Sequence, residues 1–86
     1  MPTICSFYGI LIQMYWDEHV PPHFHALYGE YEGLIDIRKL VVMTGRLPRR
    51  AESLVLEWAA QHQQELLEDW DLCQNMHSPR KISPLE

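Results

Sequence analysis

Three histidines, His19, His23 and His25, fall within seven residues, in the run Trp16-Asp17-Glu18-His19-Val20-Pro21-Pro22-His23-Phe24-His25. Imidazole is the side chain best suited to proton transfer near neutral pH and to ligation of transition metals. His23 and His25 are two residues apart. On a strand that spacing points both rings to one face, with Cα atoms ~6.6 Å apart, so the two can share one ion. His19 lies four residues before His23, up to ~13 Å away along an extended chain, and joins them only if the proline pair turns the chain back. Asp17 or Glu18 would complete a two-histidine, one-carboxylate site with open positions. The metal candidates are thus His23, His25 and Asp17. No cofactor is expected, and weak affinity for divalent transition metals would be incidental. The same rings suit a general acid or base, which makes His23 and His25 the catalytic candidates and His19 a weaker one. A structural role, with the histidines bonded to backbone and packed among Tyr, Trp and Pro, is the alternative.

Cations cluster downstream. Arg38, Lys39, Arg46, Arg49 and Arg50 fall within thirteen residues, whereas the run from Glu52 to Asp71 has neither Lys nor Arg. Arg46, Arg49 and Arg50 stand at the start of an expected helix, where the macrodipole disfavours cations by about 0.3–1 kcal/mol each. A bound anion would explain that placement, since helix N-termini are natural phosphate sites; neutralisation by Glu52 and acids of the sheet, or simple solvation, is the alternative. These three are the anion-binding candidates, and with the histidines they predict one shallow pocket for a phosphate or carboxylate. The overall charge of −5 argues against a protein that coats nucleic acid non-specifically.

These side chains need a scaffold. Ile10, Ile12, Met14 and Trp16 alternate with Leu11, Gln13 and Tyr15, the pattern of a strand with neighbours on both sides. His23 to Tyr28 reads as a second strand, Gly29-Glu30 as a two-residue turn, Tyr31 to Ile37 as a third strand, Arg38-Lys39 as a turn and Leu40 to Thr44 as a fourth. Gly45 to Pro48 punctuates the chain. The period then becomes helical, with Ala51, Val55, Trp58, Ala59, His62, Leu66, Trp70 and Cys73 on one face. The fold expected is α+β in a single domain: an antiparallel meander of three to four strands (1–45) packed on one long or kinked C-terminal helix (48–77), then an extended tail (78–86). His62 is expected to be buried and satisfied by a carbonyl or hydroxyl, and Trp16, Trp58 and Trp70 to lie in the core or an interface.

An unbroken helix of that length spans ~42 Å, against a radius of gyration of ~12 Å for a domain of this size. It must therefore bend near Gln61 to Gln64 or pack its far end on another subunit. With the apolar strand at Leu40 to Met43, this predicts a homo-oligomer. Cys5 and Cys73 are far apart and outside any C-x-x-C pattern, so they read as unactivated free thiols of a reducing compartment. The apolar stretch from Ile4 to Trp16 is too short to span a membrane and lacks the flanks of a signal peptide. The cytoplasm is the expected location. No P-loop, dinucleotide fingerprint, H-E-x-x-H or nucleophile elbow occurs.

Met1-Pro2-Thr3-Ile4, Phe7-Tyr8-Gly9-Ile10, His19-Val20-Pro21-Pro22-His23-Phe24-His25-Ala26, Leu47-Pro48-Arg49-Arg50, Leu56-Glu57-Trp58 and Ile82-Ser83-Pro84-Leu85 together resemble the bacterial domain-of-unknown-function 4160 family. Leu40-Val41-Val42-Met43 departs from the more polar, acidic hairpin of that family. The resemblance implies a small cytosolic protein paired with a partner encoded by a neighbouring gene, in the manner of toxin–antitoxin modules. Two functions are carried forward from it. One is an effector acting on RNA or another phosphate-bearing ligand through a His/Arg pocket. The other is a non-catalytic interaction module with structural histidines. Metal binding by His23 and His25 is a third.

Overall fold

Five strands follow one another in space as they do in sequence: β1 (Thr3–Phe7), β2 (Ile10–Gln13), β3 (His23–Tyr28), β4 (Tyr31–Asp36) and β5 (Val41–Arg46). Every neighbouring pair is antiparallel. Two helices, α1 (Arg49–Gln61) and α2 (Gln63–Gln74), complete the α+β fold. The computed structural model describes residues 2–86.

The sheet has one strand more than the alternation pattern predicts. In β1 both Ile4 and Cys5 are buried, because the register with β2 shifts between Thr3 and Cys5. A bulge of this kind places two successive side chains on one face and erases the period-two signal. Tyr8 and Gly9 both take positive φ and close a two-residue hairpin between Phe7 and Ile10, the backbone twist that such turns favour. The turns expected at Gly29-Glu30 and Arg38-Lys39 are present. In the second, the buried Asp36 carboxylate accepts from the backbone N–H groups of Arg38 and Lys39, each at 2.9 Å. Leu40 sits in that turn at φ 56°, so β5 begins one residue later than expected.

Ile10, Ile12, Phe24, Ala26 and Ile35 share one sheet face and are buried under the helices. Trp58 of α1 is fully buried there, its ring centroid 5.5 Å from Phe7 and 5.7 Å from Phe24.

The helix is not continuous. It breaks at His62 (φ −125°), where the Gln63 side chain donates to the carbonyl oxygens of Ile37 and Arg38. The break keeps the molecule to a radius of gyration of 11.5 Å and lets one sheet and its loops cover both Trp58 and Trp70. The overhang invoked for docking a second subunit on the helix therefore does not arise. His62 is partly exposed, and its Nδ1 pairs with the Glu65 carboxylate rather than with a carbonyl or hydroxyl.

Beyond α2 the chain runs extended along the outer side of β1. Arg80 N–H donates to Asp69 Oδ1 (2.8 Å), Ile82 N–H to Ile4 O (2.9 Å), and Trp58 Nε1–H to Ser83 O (2.7 Å). Trp16, expected in the core or an interface, is outside the core, half exposed, and donates to His77 O. Cys5 and Cys73 are free and buried. Burial and the nearby Asp69 and Glu18 charges push the Cys73 thiol up to about 11, which leaves it protonated and inert. No helix among the described residues is long and apolar enough to cross a membrane.

Candidate metal centre

Strand alternation sets the site. Phe24 faces α1, so His23 and His25 on either side of it project from the opposite face of β3. The segment between β2 and β3 folds back over them. Trp16 and Asp17 form a turn, with Asp17 at φ 56°, a left-handed conformation that Asp adopts more readily than most residues. That turn leaves the Asp17 side chain exposed and swings Glu18 inward. Pro21 and Pro22 then lead stiffly into the strand.

Three donor atoms converge. Glu18 Oε1 lies 3.2 Å from His23 Nε2 and 2.9 Å from His25 Nε2, and all three ligand atoms fall within 4.8 Å of one another. The other nitrogen of each ring is already engaged. His23 Nδ1–H donates to the Pro21 carbonyl at 2.9 Å, while both ring nitrogens of His25 lie within hydrogen-bond reach of a carboxylate, Nδ1 of Glu32 Oε2 and Nε2 of Glu18 Oε1, each at 2.9 Å. Glu32 reaches His25 from β4, diagonally across the hairpin, because His25 pairs with Leu34. Although His23 Nε2 is close to Glu18, it is not aligned for a hydrogen bond and is buried without a partner.

Aromatic rings wall the site. Tyr15 packs on His25 at 4.3 Å between centroids, and Trp70 of α2 on His23 at 5.2 Å. Burial, then the Glu32 and Glu18 charges, push the Tyr15 phenol upward. The His23 and His25 side chains are only 7% and 8% exposed, against 24% for Glu18. The site therefore opens on the Glu18 side.

Two expectations need correction. His23 and His25 are together, but Glu18 and not Asp17 is the carboxylate beside them, and His19 is exposed outside the cluster. The shared His/Arg pocket does not form. The imidazoles are buried on the sheet face away from α1, while Arg49 and Arg50 are exposed at the start of that helix. Arg46, also exposed, lies over the Tyr31 ring at 5.7 Å. Arg50 instead borders a groove of about 270 Å³ with Tyr8, Tyr28, Leu54 and Glu57, in which no histidine takes part. Sequence reasoning missed Glu32. The Gly29-Glu30 turn fixes the hairpin register, and counting back from it puts Glu32 on the face of His25.

Fold and site together define an antiparallel sheet protein whose strand-borne histidine pair faces a loop carboxylate. The chain belongs to the family described as Domain of unknown function (DUF4160), whose family model matches residues 9–71 of the 86. Glu18, His23, His25 and Glu32 all lie in the matched stretch. Neither the curated proteins nor the solved structures contain a match to the chain.

Proposed function

We propose that the protein binds one divalent first-row transition metal ion through Glu18 Oε1, His23 Nε2 and His25 Nε2. The observation that carries this reading is the convergence of both Nε2 atoms on one Glu18 oxygen while each Nδ1 has an acceptor of its own, Pro21 O for His23 and Glu32 for His25. Ligating histidines characteristically donate their second nitrogen in this way, to a backbone carbonyl or a carboxylate. Ligand atoms bound to one ion at bond lengths of ~2.0–2.2 Å sit roughly 3–3.6 Å apart. The two Glu18 distances are already close to that spacing, and a small tilt of the rings closes the remainder. Two histidines and one carboxylate make the donor set of open zinc and non-haem iron sites. Such an ion would polarise a ligand oxygen or acidify a bound water on the Glu18 side. Phosphate chemistry at these histidines, as in an RNA-directed effector, would then take its positive charge from the ion, because Arg49 and Arg50 stand at the start of α1, on the other side of the sheet.

One observation favours a second reading. Both ring nitrogens of His25 face carboxylates, as in a purely structural ion-pair bridge of an interaction module. Titration with Co(II), followed by its visible absorption, decides between them. Saturation at one ion per chain, lost in Glu18→Gln and His23→Gln, supports the metal centre. Absence of ligand-field bands overturns it.

A further inference from the structure

The two edges of the sheet are treated differently. The outer side of β1 is covered by the tail, through Ile82 N–H to Ile4 O. β5 ends the strand order, and among the described residues no backbone hydrogen bond reaches its outer edge. Val41 and Met43 are 48% and 39% exposed along it. An uncovered strand of six residues is a template for another strand.

Charge is arranged around that edge. Arg38 and Lys39 precede β5, Arg46 ends it, and Arg49 and Arg50 follow within one turn of α1. These are five of the seven lysines and arginines in a chain of net charge −5. Among the described residues, the only ion pairs are those of histidines, so no cation here is neutralised by the protein's own carboxylates.

We propose that β5 docks an acidic, extended segment of a partner protein as a sixth strand. Main-chain bonds to the open edge would provide the register, and the cations at either end of a strand ~20 Å long would select carboxylates on the incoming segment. This is strand addition with charge complementarity at its rim. A second copy of the chain fits less well. Antiparallel self-pairing sets Arg46 beside Val41 of the other copy, close to its Arg38 and Lys39, so that like charges meet at both ends. The register shift between β4 and β5 at Leu34/Ile35 also distorts the edge, a feature that discourages indiscriminate pairing. RNA would meet the cations but has no use for a free β ladder. The inference stands independently of the metal centre.

The test uses the full chain and a fluorescent peptide alternating glutamate and valine. Its binding is measured by anisotropy at low salt and its site by amide shifts in NMR. Binding is expected with shifts confined to Val41–Arg46 and their neighbours, and weakened about tenfold in the exposed triple variant Arg38→Glu, Lys39→Glu, Arg46→Glu, which keeps the wild-type circular dichroism. A peptide of the same charge, N-methylated at alternate residues, should fail to bind. Equal binding of the methylated peptide, tighter binding of a single-stranded RNA than of the peptide, association of the chain with itself through β5 in preference to the peptide, or no binding at all would each overturn the proposal.

Discussion

His23 Nε2 lies 3.2 Å from the Glu18 carboxylate without being aligned to hydrogen-bond with it. The bond from Nδ1–H to Pro21 O fixes the ring in this orientation. A buried lone pair without a partner costs about 1–3 kcal/mol, and an ion placed between the two groups removes that cost. The unpartnered nitrogen belongs to the site itself.

Metal should therefore stabilise the fold. At free ion a hundredfold above the dissociation constant, linkage gives about 2.7 kcal/mol, which thermal melts with and without Co(II) or Zn(II) would register as a rise of several degrees. An unchanged melting temperature at saturating ion counts against the site.

Glu32 pairs with His25 Nδ1 and would act on a bound ion through that ring. Glu32→Gln should weaken metal affinity by about 10–100-fold while leaving the stoichiometry at one. His23→Gln or Glu18→Gln should abolish binding outright. Loss of stoichiometry in the Glu32 variant would mean that it is itself a ligand.

Asp69 supplies a pH dependence away from the centre. Burial raises its carboxyl pKa above the usual value, only partly offset by the Arg80 N–H and the Arg80 charge, and its Oδ2 has no partner. The folded state thus holds this proton more tightly than the unfolded chain does. Its contribution to stability is complete below the ordinary carboxylate pKa of ~3.9 and is lost as pH rises through the elevated folded value. Asp69→Asn keeps the acceptor for Arg80 N–H and cannot ionise. Relative to wild type, its urea midpoint should rise with pH from about 4 upward. A difference that stays flat with pH would show that Asp69 titrates normally.

Gly45 holds the end of β5 against β4. Its φ is +76°, and a Cβ there would sit 2.1 Å from Glu32 O, so neither the dihedral nor the space admits a side chain. Gly45→Ala should destabilise by about 2 kcal/mol or more. Because it displaces Glu32, it should also weaken metal binding. A variant as stable as wild type would contradict the close approach.

What the sequence made legible follows from which signals survive in one dimension. The His23/His25 parity and the two turns at Gly29 and Arg38 are local, and they appear where expected. Helix length left two outcomes open, a bend between Gln61 and Gln64 or packing on another subunit, and the break at His62 is the first of them. β1 was invisible because its bulge at Ile4 and Cys5 cancels alternation. The choice of Glu18 over its neighbour Asp17 depended on one left-handed residue in a loop that composition does not specify. The arginines are close in sequence, but β5 puts Arg38 and Arg46 at its opposite ends. Their separation from the histidines was hidden because strand parity says which face a side chain takes but not which face a later helix will cover.

The tail along β1 sets how many contacts the sheet can offer. With β1 covered at Ile4, β5 is the open edge of the sheet among the described residues, and edge-to-edge pairing there would stop after one partner. Removal of the residues from Arg80 onward would leave the sheet two. A unit with two open edges would be able to add copies without limit, toward an open fibre. The bond from Ile82 N–H to Ile4 O takes one of those two sides away.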